Sequence, residues 1–209
     1  MKITIFGADG RTGVEVVKYA KQQGFDVTAF VYNDASNKYF PAGVSIKKGD
    51  VMNYEAVFEA LKDSQAVISV VGHIPGSDSL MQTKGITNIV KAMEVLGISR
   101  VLSLTGTGAR VIGDTPSLLD KVLNYFVGVI DPLRINDGVK HLKVLQNSHS
   151  NWTVVRVLKL GDSDKEVANY VLTDGGPAEL QTSRKKVAKI LIDLLSNDTY
   201  IKKSPVVSG

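Results

Sequence analysis

Three glycines within seven residues, Gly7-Ala8-Asp9-Gly10-Arg11-Thr12-Gly13, constrain this 209-residue chain more than any other stretch. They follow the apolar run Lys2 to Phe6 and lead into the periodic stretch Val14 to Gln23. Strand, glycine-rich turn and helix in that order open a dinucleotide-binding fold. Gly7 suits a tight turn, Gly10 lets the main chain approach a pyrophosphate, and Gly13 lets the helix lie close on the sheet. The phosphates would sit on the free N–H groups and positive dipole of the helix N-terminus. A glycine-rich turn also joins strand to helix in α/β proteins that bind nothing there. The polar residues Asp9, Arg11 and Thr12, and a second strand after one helix, favour the nucleotide.

The rest of the chain continues the alternation. Apolar runs predict strands at Lys2–Phe6, Asp26–Val31, Ser45–Lys48, Ala66–Val71, Arg100–Leu104 and Thr153–Val157. Helices are expected at Thr12–Gln23, Tyr54–Leu61, Leu80–Leu96, Asp137–Gln146 and Ser183–Ser196. Near-continuous apolar strands belong in a parallel sheet covered on both faces. The expectation is a Rossmann-like, doubly wound α/β domain over residues 1–209 with a small C-terminal substrate region. Between Gly108 and Asn136 the pairs Leu118-Leu119, Val122-Leu123, Tyr125-Phe126 and Val129-Ile130 suggest an apolar helix not needed by the sheet. Residues 108–136 and 159–182 are the expected substrate-side elements. The apolar helix is equally suited to a subunit interface, which leaves room for a homo-oligomer.

Composition narrows the function classes. No apolar run is long enough to span a bilayer, and a strand at the N-terminus leaves no space for a signal peptide, so a cytoplasmic protein without a membrane partner is expected. Zero Cys excludes a disulfide framework, a thiolate metal site and a cysteine nucleophile, and no metal site is predicted. The net charge of +4 comes from cations mixed with acids along the chain, which does not favour a nucleic-acid partner.

Ligands of such sheets collect at the carboxyl ends of the strands. After the second strand comes Tyr32 where a carboxylate would favour NAD, and Arg11 in the first turn can pair with a 2′-phosphate or stand free in solvent. NADP(H) is therefore favoured, with NAD(H) left open by Asp34. Asp50 and Val51 after the third strand can bracket an adenine, or Asp50 can cap the helix beginning near Tyr54. His73, after the fourth strand, is the best-placed titratable group for a proton donor, or else a loop histidine that touches only solvent or the edge of the cofactor as one of its binding residues. His141 and His149 are expected at the surface.

The blocks GADGRTG, VTAFVYN, GDV, VISVVGH, GITNIVKAMEVLGISRVLSLTG, LKVLQNSHSNWTVVRVLKLGD and TSRKKVAKILIDLL, in this order, resemble the atypical short-chain dehydrogenases of the NmrA-like group. Within that group the chain is most similar to the flavin reductase and biliverdin-IXβ reductase family, from Met1 to about Leu195. The resemblance implies NADPH-dependent reduction of a flat conjugated acceptor. It places Gly7, Gly10, Arg11, Thr12 and Gly13 at the pyrophosphate, Asp50 and Val51 at the adenine, Val71 and Gly72 at the middle of the cofactor, and Thr105 and Gly106 beside the nicotinamide. Lys159 falls where the biliverdin reductase has an active-site histidine.

Departures from the family pattern matter. Tyr32 stands where NADPH-preferring members carry an arginine, and the reductase's active-site serine aligns near Gly106, leaving Thr105 or Thr107 to offer a hydroxyl. No tyrosine has a lysine four residues later, so the usual proton acceptor for alcohol oxidation is missing. Hydride transfer to a flavin or quinone asks less of the protein, because the acceptor ring spreads the added charge. The candidate catalytic residues are Thr105, Lys159 and His73. The alternative is a non-catalytic NAD(P)-sensing regulator of the NmrA-like kind with a protein partner.

Overall fold

The computed structural model describes residues 1–163, 167 and 169–209. Its first half runs β1 (Lys2–Phe6), α1 (Arg11–Gln22), β2 (Asp26–Val31), β3 (Ser45–Lys48), α2 (Tyr54–Leu61), β4 (Ala66–Ser69), α3 (Met81–Leu96) and β5 (Arg100–Gly106). Two consecutive helices, α4 (Leu118–Ile130) and α5 (Pro132–Gln146), precede β6 (Asn151–Val157). The short strands β7 (Leu160–Gly161), β8 (Val171–Thr173) and β9 (Thr182–Ser183), then α6 (Arg184–Asp193) and β10 (Val206–Ser208), follow.

The central sheet has the order β3-β2-β1-β4-β5-β6-β10-β8. It is parallel as far as β10, and β8 joins antiparallel at the edge. Strand order reverses between β1 and β4, which opens a crevice at their carboxyl ends. This is the doubly wound α/β architecture expected from the sequence.

Alternation of side chains across the sheet makes two cores. On one face Ile3, Ile5, Ala29, Leu102 and Val155 pack under Val16 and Val17 of α1 and Val187 and Leu191 of α6. On the other Phe6, Phe30, Val67, Val101 and Val154 meet Val57 of α2, Ile86 and Ile89 of α3, and Leu142 and Leu145 of α5. Strands buried on both faces explain the continuous apolar runs.

Several boundaries differ from the sequence expectation. β4 stops at Ser69 rather than Val71, because the chain leaves the sheet beside Gly7. α5 starts at Pro132 rather than Asp137: the Asp131 carboxylate accepts from Arg134 N at 3.1 Å and proline occupies the first turn. Asn53, not Asp50, caps α2, accepting from Ala56 N at 3.0 Å, while Asp50 Oδ1 accepts from Met52 N. His141 is buried, not at the surface, whereas His149 is exposed as expected.

Candidate functional site

The first turn is shaped by what its glycines lack. Gly7 has φ +74°, and a Cβ there would meet Val71 N at 2.9 Å. A Cβ on Gly13 would collide with the Gly7 carbonyl, so α1 can only approach the turn this closely with glycine. At Gly10 the nearest atom to an added Cβ is the Gly7 carbonyl oxygen, 3.3 Å away. Its backbone is extended, and its side offers no cap to α1.

The six α-helices differ at their N-termini. Asn53, Ser117, Asp131 and Ser183 cap α2, α4, α5 and α6 with their own side chains. α3 is capped from a distance: Asp137 of α5 accepts from Gln82 N and Thr83 N, each at 2.9 Å. Among the described residues, α1 has no side-chain cap and no acid in its first turn. The N–H groups of Arg11, Thr12 and Gly13 are left to a ligand or water, with the positive end of the helix behind them. A diphosphate fits that donor set.

The other predicted cofactor residues surround this turn. Asp9 Oδ2 accepts from Tyr32 N at 3.1 Å and Asn33 N at 3.0 Å, tying the turn to the end of β2. Tyr32 itself is exposed. Val71 abuts Gly7, and its carbonyl accepts from Gln82 Nε2 at 2.8 Å; Gly72 next to it is exposed. Asp50 lies in the turn after β3. Val51 buries its side chain against Gly85 of α3, and its carbonyl accepts from Asn88 Nδ2 at 3.1 Å. Arg11 is largely exposed, with Asp162 the nearest acid at 3.8 Å; Arg184 Nη1 holds the same carboxylate at 2.5 Å.

Thr105 and Gly106 end β5, two strands from the first turn. Thr105 is buried, and its hydroxyl lies where a Cβ on Gly138 would come within 2.8 Å, so α5 packs directly on this strand end. Thr107, also buried, accepts from Asn124 Nδ2 at 3.0 Å. His73 faces the same corner from the other side, its Nε2 2.9 Å from Asp137 Oδ2. Lys159 stands apart: it is exposed beyond β6, and among the described residues only its carbonyl is engaged, by Thr182 N at 2.8 Å. Thus Thr105 and His73 converge on α5, and Lys159 does not join them.

Sequence reasoning missed Asp137 and His141, one helical turn apart on α5. Ser103 Oγ lies 2.9 Å from His141 Nε2 and 3.1 Å from the Ser69 carbonyl. A carbonyl only accepts, so the serine proton goes to Ser69 and Nε2–H donates to Ser103. Nδ1 is buried without a hydrogen-bond partner. Burial pushes the imidazole down to about 4, against the opposing pull of Asp137. The i, i+4 spacing of Asp137 and His141 was the available signal.

An open cleft of about 650 Å³ lies between the segment after β5 and the α4–α5 pair, with Arg110, Lys121, Asn124, Tyr125 and Ile135 on its walls. A smaller one of about 360 Å³ flanks the first turn, between Arg11, Lys18, Tyr39 and Arg184. Neither is lined by Thr105, Lys159 or His73. Within the expected substrate-side segment 159–182, residues 164–166 and 168 lie outside the described residues. No helix is long and apolar enough to cross a membrane, and no group of His, Asp or Glu among the described residues is arranged to hold a metal.

Comparison with known proteins agrees with this fold. The sequence pattern of a family described as NAD(P)H-binding matches residues 7–198. The uncharacterized protein YwnB of Bacillus subtilis is 33% identical over 156 residues, 73% of this chain and 70% of that protein. A short-chain dehydrogenase/reductase from Veillonella parvula, solved in complex with NADP, superimposes with a TM-score of 0.82 at 20% identity, covering 100% of this chain and 94% of that one. ChuY, an anaerobillin reductase from Escherichia coli O157:H7, does so with a TM-score of 0.82 at 18% identity over 100% and 97% of the two chains. At these identities the two structures share the fold.

Proposed function

The chain belongs to the NAD(P)H-binding family, and from that premise we propose that it is an oxidoreductase transferring hydride from a reduced nicotinamide cofactor to a flat conjugated acceptor, such as a flavin or quinone. The observation that carries the reading is the uncapped N-terminus of α1 at the point where the strand order reverses. The N–H groups of Arg11 to Gly13 would hold the pyrophosphate, with Gly10 giving it room. Asp50 and the Val51 backbone would hold the adenine, Tyr32 and Asp9 would border the ribose, and Val71 and Gly72 would line the middle of the cofactor. Thr105 and Gly106 would flank the nicotinamide.

The cofactor supplies the electron pair and one hydrogen. The protein's share is to orient the two rings and to exclude unproductive poses. The α4 side of the cleft, with Tyr125 and Ile135, offers an aromatic and an apolar wall for a flat ring. Arg110 and Lys121 on the same walls would attract an anionic substituent.

NADPH is favoured over NADH. Arg11, one residue beyond Gly10 and largely exposed, is the cation suited to a 2′-phosphate, against the opposing Asp9 carboxylate at the end of β2. Titration of the purified protein with NADPH and NADH tests both statements. Gly10→Val should leave the protein folded and weaken both dinucleotides at least 100-fold, because the branched side chain fills the pyrophosphate position. Arg11→Ala should weaken NADPH about tenfold more than NADH, the scale of one charge-assisted hydrogen bond. Unchanged affinities in Gly10→Val would defeat the site assignment.

A further inference from the structure

Asp137 is a carboxylate with no exposed surface. Its Oδ1 accepts from Thr83 N at 2.9 Å and from the Thr83 hydroxyl at 2.5 Å. Its Oδ2 accepts from Gln82 N at 2.9 Å and lies 2.9 Å from His73 Nε2. A charge withdrawn from water needs such company. Capping α3 explains the backbone bonds and leaves the histidine contact unexplained.

His73 Nε2 is itself buried and makes no aligned hydrogen bond, although Asp137 is in ion-pair range. The side chain's remaining 14% exposure therefore lies on atoms other than Nε2. The loop that carries it is fixed, because the Val71 carbonyl is held by Gln82 Nε2, next to the residues that Asp137 caps. The residue after Asp137 is Gly138, whose absent side chain makes room for the Thr105 hydroxyl. His73 thus stands between the first turn and the end of β5. Among the described residues Asp78, bonded to Lys84 Nζ at 2.5 Å, also faces it, and His141, neutral at pH 7, lies one turn beyond Asp137.

We propose that His73, oriented by Asp137, donates the proton that accompanies hydride transfer to the acceptor. This rests on the reductase reading above. Hydride brings two electrons and one hydrogen to the acceptor ring, leaving it as an anion. Nδ1–H of the imidazolium gives that anion its proton, and the neutral ring recovers a proton from water. Over the cycle the reduced dinucleotide, the acceptor and one proton become the oxidised dinucleotide and the reduced acceptor. His73 is the catalytic residue in this step, and Asp137 is a positioning residue.

The test uses menadione as acceptor and two variants. His73→Gln should lower turnover about 100-fold, in the range of a lost general acid. Its NADPH affinity should stay within threefold of the parent. The parent's rate should fall as pH rises, because the donor must carry its proton, and the variant's profile should be flat. Asp137→Asn keeps an oxygen to cap α3; the His73 ring resonances of the dinucleotide-free protein should then move from their parent positions, with no turnover involved. Equal turnover in parent and His73→Gln would overturn the proton assignment and leave the reductase standing. Unmoved His73 ring resonances in a folded Asp137→Asn variant would overturn the pairing. A parent that binds NADPH and oxidises none would overturn the reductase reading and the proton step with it.

Discussion

Gly10 and Asp137 act oppositely at two helix N-termini, and the contrast locates the site. At α1 glycine withholds a cap, so three N–H groups face the crevice; at α3 a carboxylate from 55 residues away in sequence fills the corresponding place. The glycines were legible because their spacing has a steric cause, one for each close approach. Asp137 was not, because its role exists only once α5 lies against α3. His141 was misplaced for a similar reason: a histidine on an amphipathic helix looks like surface until its neighbours are known. Its titration has a measurable consequence. Unfolded, the imidazole takes a proton near 6.5, while the folded protein holds it neutral down to about 4. The group's stabilising contribution is complete above pH 6.5 and is lost as pH falls toward 4, by roughly 3 kcal/mol at the limit. Urea unfolding at pH 7 and pH 4.5 should show a smaller loss in His141→Gln than in the parent, and an equal loss would contradict the buried neutral ring.

At the scale of elements, the strands and helices that build the sheet were readable from apolar runs and helical periodicity, because burial on both faces leaves a strong pattern. β8 and β10, three residues each, carry too few side chains for any period and owe their places to β6 and to one another. The start of α5 carried a signal, Asp131 followed by Pro132, that the apolar pattern alone overlooked. The segment after β5 is held by a contact that no sequence pattern announces. Arg156 on β6, almost wholly buried, grips both carboxylate oxygens of Asp114 at 2.5 and 2.7 Å and also donates to the Ala109 carbonyl. Removing one partner strands the other charge in the interior. Asp114→Ala should cost about 3 to 5 kcal/mol of stability, read by urea unfolding at pH 7. It should also loosen the cleft wall that Asp114 lines, seen as faster amide exchange over residues 108–116. A loss under about 1 kcal/mol would mean that the pair is not the anchor it looks to be.

For the whole molecule, a parallel sheet with a switch point between β1 and β4 puts the first turn, His73 and Thr105 along one edge, and α4 and α5 rise beside it. α4 presents Leu118, Tyr125, Phe126, Val129 and Ile130, each more than half exposed, so only part of its surface is used by the cleft. The fold points to where a dinucleotide would lie more sharply than to the acceptor, because backbone groups would bind the first and side chains of a variable wall the second. The measurement that bears most directly on the account is consumption of NADPH by the purified protein with excess FMN, beside a no-enzyme control and a matched NADH reaction. The account predicts saturable consumption above the control, faster with NADPH than with NADH at low cofactor concentration. Tight NADPH binding with no consumption above the control, for FMN and for a quinone alike, would contradict it and leave a dinucleotide-sensing protein in its place.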